Sequence, residues 1–521
     1  MTPVSFPGRS DPRSASLSAL AVLAVALPFL WCFTRPPSTN FWPLAASWLC
    51  AALLLLVSAA QGWVGQPWRT QHRARLLAAG LLLAALASSA IGLAQYFGLH
   101  GALAPWVYDA PIGQAMGNLR QRNQQATLLS LGVWALVWWV AQSRAAGRPA
   151  APRWRVAALW AAMALLAVGS AATASRTGLL QWLLLLCLAG LWRERLGAGA
   201  CKLLAGGLLL YVLAGWMLPA LLWRTAGVHG SGVFTRVAAS YGCGSRRVLW
   251  SNVLDLIALR PWLGWGWGEL DYAHYITLFS GERFCTLLDN AHNLPLHLAV
   301  ELGLPAALMA CAIAGALVWR ARPWQETAPQ RQLAWGILLA ITAHSMLEFP
   351  LWYGPFQLAA LCALGLLFTP ESAKKFKEKW PLAQYLQALP AIILIVIVGA
   401  VARQYAAVSQ LYYPLSERSA ALRLDAQGRV VGAPLFDDAA RFAHLTTQTV
   451  TPANAAQVHA MASDLLHYSP EPRVIERLIE SAELLGLADE ARFHRRRYAA
   501  AYPADYARWL RGGKASGALG H

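Results

Sequence analysis

The sequence predicts an all-α, polytopic membrane protein with about eleven transmembrane helices, a large loop and a small helical C-terminal domain, both on the outer side. Three observations carry this. Of 521 residues, 57% are hydrophobic and only 13% charged, whereas soluble domains are about a quarter charged. Apolar runs near twenty residues, the length that spans a bilayer as a helix, recur along the chain. The basic residues gather between those runs, and in every second connection.

Taken in order, the runs are 16–33, 41–60, 76–97, 125–142, 154–173, 177–192, 202–223, 292–319, 332–347, 351–369 and 386–409. The first follows Arg9 and Arg13 but offers no small-residue cleavage site, so it reads as an uncleaved span behind a cytoplasmic stretch, 1–15. Basic connections carry Arg69, Arg73 and Arg75; Arg144, Arg148, Arg153 and Arg155; Arg193, Arg195 and Lys202; Arg320, Arg322 and Arg331; and Lys374, Lys375, Lys377 and Lys379. Positive charge stays in the cytoplasm. The outer segments are therefore 98–124, a turn near Ala174-Ser175-Arg176, the loop 224–291, a turn near 348–350, and the tail 410–521. The membrane domain is then 16–409. In the tail, Leu445 to His467 and Arg473 to Tyr502 read as amphipathic helices broken at Pro452, Pro470 and Pro503. The Arg473–Tyr502 segment has the pattern of one helix-turn-helix of tetratricopeptide type with Gly486 at its turn, or of a small helical cap.

The net charge of +18 does not mark a nucleic-acid binder, because no basic face carries stacking aromatics. The eight cysteines show no metal-ligand spacing. A transporter or flippase would place ionisable groups near mid-membrane and often shows repeated halves. These span interiors are nearly free of charge and no repeat is evident.

Polar groups with chemical potential gather on the outer side. His292, in Asp289-Asn290-Ala291-His292-Asn293, sits where a polar loop meets an apolar run. It can meet water and headgroups together and take a proton near neutral pH; the alternative is an interfacial helix cap. Arg176 opens a span as a snorkelling anchor or a phosphate ligand. In the long loop, Ser245-Arg246-Arg247 begins a helical stretch, and Arg260-Pro261-Trp262-Leu263-Gly264-Trp265-Gly266-Trp267-Gly268 suits an aromatic belt at an interface.

The pattern His292-Asn293, nine residues, then Gly303 resembles the signature of the O-antigen ligase and polymerase superfamily. That signature usually ends Gly-x-x-Gly, Thr or Tyr, and here Ala306 stands at the last place. The stretches Gly117-Asn118-Leu119-Arg120-Gln121-Arg122-Asn123-Gln124-Gln125-Ala126-Thr127 and His344-Ser345-Met346-Leu347-Glu348-Phe349-Pro350-Leu351-Trp352-Tyr353 look like the PglL-type protein O-oligosaccharyltransferases, pilin glycosylation ligases among them. The resemblance covers about residues 110–370.

The resemblance implies a multi-pass enzyme of the bacterial inner membrane with a periplasmic active site. It would transfer a preassembled glycan from undecaprenyl diphosphate to a Ser or Thr hydroxyl of an exported protein such as pilin. An O-antigen ligase or polymerase with a glycolipid or glycan acceptor is the alternative. Catalysis falls on His292, Arg176 and Arg246, with Arg247 as the fallback for Arg246; Asn293, His344, Glu348 and Tyr353 are substrate-binding candidates. Direct attack would invert the anomeric carbon. The Asp-x-Asp and Trp-Trp-Asp-Tyr-Gly motifs of metal-dependent N-linked transferases are missing, so neither metal nor cofactor is expected beside the lipid-linked donor. His297, read as continuing a helix from His292, lies about 140° round it and should face away. Cys243 and Cys285 share the large periplasmic loop and either pair or remain interfacial thiols.

Overall fold

A computed structural model describes residues 12–63, 69–145, 152–230, 232, 242–368, 388–424 and 433–512. Every regular element among them is helical. The membrane part contains α1 Pro12–Leu30, α2 Phe41–Trp63, α3 Thr70–Tyr96, α4 Arg122–Ala145, α5 Arg153–Ala172, α6 Arg176–Leu191 and α7 Arg193–Ala226. The large loop holds α8 Arg246–Leu259 and α9 Leu270–Ile276. Beyond it come α10 Leu294–Leu302, α11 Leu304–Ala321, α12 Pro329–Ser345, α13 Gly354–Leu367 and α14 Leu389–Ser409.

Eight of these are long and apolar enough to cross a membrane: α1, α2, α3, α4, α5, α7, α11 and α14. The protein is a multi-pass membrane protein. The three shorter expected spans coincide with α6, α12 and α13. Arg148, Lys374, Lys375, Lys377 and Lys379 lie outside the described residues.

Helix α4 is the axis of the bundle. It packs against α3, α5, α6, α7 and α12, and a helix apolar on all sides is what such burial requires. Its Trp134 and Trp138 are fully buried, and their indole N–H groups donate to the carbonyls of Leu333 at 3.2 Å and Pro329 at 2.7 Å. Gly336 gives Trp134 its room, since a Cβ there would strike the indole. The N-terminal end of α4 is polar yet buried, so its groups must find partners. Gln181 donates to Thr127 at 2.8 Å, Thr127 meets the His344 ring at 2.9 Å, and Ser88 donates to Gln125 at 2.7 Å. This polar layer is the floor beneath the histidine segment and the 344–353 turn.

The run expected as one span over 292–319 is two helices. Pro295 and Pro305 each open a helix, and Gly303 between them takes φ 88°, a conformation glycine adopts without strain. Residue His292 lies before the Asn293 cap with φ 50°, so it is not on the helix at all.

The tail is built from α15 Ala420–Leu424, α16 Asp437–Thr447, α17 Ala455–Leu465, α18 Pro472–Leu484, α19 Ala488–Ala501 and α20 Pro503–Leu510. Helices α18 and α19 form the expected helix-turn-helix, with Gly486 at φ 76° in the turn. Val474, Ile475, Leu478, Ile479 and Tyr498 share one core with Tyr275 of the large loop. Tyr275 and His494 are hydrogen-bonded at 3.0 Å, and Arg497 donates to the Ile276 carbonyl at 2.7 Å. The tail is thus seated on the large loop.

Candidate active site

Three separated stretches deliver side chains to one point above the polar floor. In the first, Ser245 caps α8 by accepting from Val248 N–H at 3.4 Å, which sets Arg246 on the opening turn. In the second, Asn290 accepts the backbone N–H of His292 at 2.8 Å, and the Ala291 carbonyl accepts from the Trp250 indole at 3.1 Å. Asn293 caps α10 through Leu296 N–H at 3.1 Å and donates to the Met346 carbonyl at 3.0 Å. Its role in the structure is to dock the histidine segment on the 344–353 turn. The third stretch, that turn, carries Glu348.

Glu348 joins the other two. Its Oε2 lies 2.7 Å from His292 Nδ1, and its Oε1 accepts from Arg246 Nη2 and from Asn123 Nδ2, the latter at 3.1 Å. Arg246 Nε donates to the Leu347 carbonyl at 3.0 Å. The carboxylate is 8% exposed. Burial pushes its pKa up, but the bond from His292 and the charges of His292, Arg246 and His344 outweigh that and hold it below the ordinary carboxyl value of 4.5. The His292 ring also stands edge-on to Phe349, centroids 5.1 Å apart.

Arg176 is exposed at the start of α6, where Ser175 caps the helix through Gly178 N–H at 3.1 Å. The Ser175 hydroxyl donates to Asn123 Oδ1 at 2.6 Å, so Asn123 links the Arg176 turn to Glu348. The charge of Arg176 reaches Arg246: burial lowers the pKa of Arg246, Glu348 raises it, and Arg176 lowers it further. Arg176, Arg246 and His292 therefore share one electrostatic neighbourhood.

Other candidates lie elsewhere. Arg247 is exposed, while its neighbour Arg246 takes the inward position. His344 is fully buried against Thr127 in the bundle, out of a substrate's reach; its place one turn before Glu348 makes it part of the floor. Tyr353, half-buried, bonds to Gln124 and stacks on Phe349 with centroids 6.0 Å apart. The expectation that His297 faces away from His292 rested on one shared helix, and the helix that His297 occupies excludes His292. His297 is 2% exposed, 3.6 Å from Glu301 and edge-on to Trp352. The cysteines are paired: Cys243 and Cys285 form a disulfide with Cα atoms 5.4 Å apart, tying the start of α8 to the approach to His292. Sequence reasoning assigned no role to Asn123 or Ser175, although Asn123 stands within the Gly117–Thr127 stretch.

A buried carboxylate holding one nitrogen of a histidine, with two arginines nearby, is an arrangement suited to moving a proton beside an anionic group. Three family models match the chain: O-Antigen ligase over residues 161–311, Protein glycosylation ligase over 115–140, and Virulence factor membrane-bound polymerase, C-terminal, over 332–514. These matches liken the chain to the O-antigen ligase superfamily and, within it, to the PglL-type protein glycosylation ligases. A curated relative, the General O-oligosaccharyltransferase of Acinetobacter baylyi, is 29% identical over 141 residues, which is 27% of this chain and 24% of the relative. Each matched segment supplies a member of the cluster: Asn123 from 115–140, Arg176, Arg246 and His292 from 161–311, and Glu348 from 332–514.

Proposed function

We propose that the protein is an O-linked oligosaccharyltransferase that moves a preassembled glycan from undecaprenyl diphosphate to a Ser or Thr hydroxyl of an exported protein, pilin being the leading acceptor. The observation that carries this reading is Glu348 bonded at once to His292 and Arg246. The Protein glycosylation ligase match favours a protein acceptor over a glycolipid, and the O-oligosaccharyltransferase activity named for the relative favours transfer of a whole oligosaccharide.

In this reading Glu348 accepts the Nδ1–H of His292 and leaves Nε2 with its lone pair outward. The acceptor hydroxyl gives its proton to Nε2 as its oxygen attacks the anomeric carbon. The bond from that carbon to the diphosphate oxygen breaks, its electron pair leaves with the polyprenyl diphosphate, and the configuration inverts. Arg176 and Arg246 meet the charge growing on the leaving group. Arg246 spends Nε and Nη2 on Leu347 and Glu348, leaving Nη1 for the donor. The arginines supply the charge stabilisation, and the reaction needs no metal. The site faces the periplasm and the membrane is the bacterial inner membrane. Purified protein with a lipid-linked glycan should add the glycan's mass to pilin in the presence of chelator. Transfer to lipid A core and to no polypeptide would replace this reading with that of an O-antigen ligase.

A further inference from the structure

The turn Arg260–Gly268 has no part in the site, yet it exposes Trp262, Leu263 and Trp267 at 75%, 85% and 69%. Large apolar side chains grouped at a surface mark an interaction site. They are not on a loose loop. Trp265 N–H donates to the Val300 carbonyl at 2.9 Å, Gly266 N–H to Glu301 at 3.0 Å, and Leu304 N–H to Pro261 at 2.8 Å. The turn is therefore clasped, backbone to backbone, on the break between α10 and α11. Gly264 at φ 69° and Gly303 at φ 88° face each other there, and a Cβ on either would run into the other strand's backbone. Trp265, the one tryptophan of the run turned inward, donates to the Leu256 carbonyl at 2.9 Å and lies under the Arg260 guanidinium at 4.1 Å.

The clasp fixes where the exposed chains stand. Immediately after Gly303, α11 begins as an apolar helix long enough to cross a membrane with only Ala307 buried, so it is exposed on nearly every side, as a helix standing in lipid would be. Leu302 and Leu304, on either side of Gly303, are exposed too. The apolar surface of the turn thus continues that of a helix standing in lipid, at the helix's outer end, where tryptophan is the preferred residue.

We propose that the Arg260–Gly268 turn is an interfacial foot: Trp262, Leu263 and Trp267 sit in the outer leaflet at the boundary of headgroups and acyl chains, and the paired glycines transmit that height to α10 and His292. The occupant of this surface is bilayer phospholipid. The membrane contact stands by itself, whereas the benefit of fixing His292 rests on the glycan-transfer reading.

The test uses the full-length protein in phosphatidylethanolamine–phosphatidylglycerol vesicles. Its six free cysteines are replaced, and Leu263→Cys carries an environment-sensitive NBD label. The proposal expects blue-shifted emission, severalfold stronger quenching by lipids spin-labelled near the headgroup than by aqueous iodide, and loss of that pattern in Trp262→Ser/Trp267→Ser but not in Trp262→Phe/Trp267→Phe. Water-like emission quenched by iodide overturns it. So does blue-shifted emission that lipid quenchers leave untouched, which would place a protein surface there. In parallel, the serine pair should slow transfer from vesicle-embedded donor severalfold while the phenylalanine pair keeps it. Absence of transfer in every variant and in the parent would sink the catalytic reading and leave the label result to judge the foot.

Discussion

Replacing Glu348 by glutamine keeps the shape and removes the charge that holds His292 and Arg246 together. The amide can still accept one hydrogen bond, but it cannot serve as an anion to the imidazole at 2.7 Å and to the guanidinium at once. Two losses follow. On the proposed mechanism, His292 is no longer held in the tautomer that leaves Nε2 free, and a base held this way contributes typically 10²- to 10⁴-fold. The middle of that range corresponds to about 4 kcal/mol of barrier. Arg246 is also left without its anion. Breaking a buried pair costs about 3–5 kcal/mol, and because the Arg246 side chain is 26% exposed the lower figure applies. Turnover under saturating donor and acceptor should fall about a thousandfold, with donor affinity falling much less. The pH dependence provides an independent check. Glu348 is held below 4.5, so the stability it contributes is complete above that pH and is lost as pH falls through its lower folded value. The difference in thermal stability between parent and Glu348→Gln should be flat from about pH 8 to 5 and shrink only below about 4.5. Wild-type turnover in Glu348→Gln, or a stability difference that vanishes between pH 7 and 5, would refute the reasoning.

Arg246→Ala should abolish most transfer and weaken donor binding, Arg246→Lys should recover only part because an ammonium cannot serve Leu347, Glu348 and a phosphate in one plane, and the exposed Arg247→Ala should keep near-parental rates in the same assay. Cys243→Ser/Cys285→Ser opens a closed loop with a sequence separation of 42; the typical cost is about 2–4 kcal/mol, read as a lower denaturation temperature that reducing agent reproduces in the parent, and maleimide labelling of both thiols in unreduced protein would contradict the bridge. A phosphatase fused after Gln410 should be active and a cytoplasmic reporter there silent, since the alternating basic connections predict a tail on the outer side.

The helices were legible because a bilayer demands long uncharged runs, and Leu, Ala, Val and Trp supply them from α1 to α7. The break at Gly303 was not, because hydropathy averages straight across it. What marks it is local: Asn293 as a cap, Pro295 and Pro305 as helix openers, and one glycine at positive φ. That same detail undid the helical-wheel argument for His297, which needs both histidines on one helix. The histidine and arginines could be picked out in sequence through short motifs and the outer position that the alternating basic connections predict for them. The joining carboxylate was named only as a substrate contact, since no spacing rule links Glu348 to a histidine 56 residues earlier and an arginine 102 residues earlier. Asn123 and Ser175 are ordinary polar residues whose meaning exists only once α4 and α6 stand side by side.

The most direct measurement is intact-mass analysis of an exported acceptor after incubation with purified protein, lipid-linked glycan and chelator. The parent should add one whole glycan to a Ser or Thr of the polypeptide, and His292→Ala should fall about 10²- to 10⁴-fold short with donor binding kept. An acceptor left unmodified by the parent, or modified equally well by His292→Ala, would contradict the account.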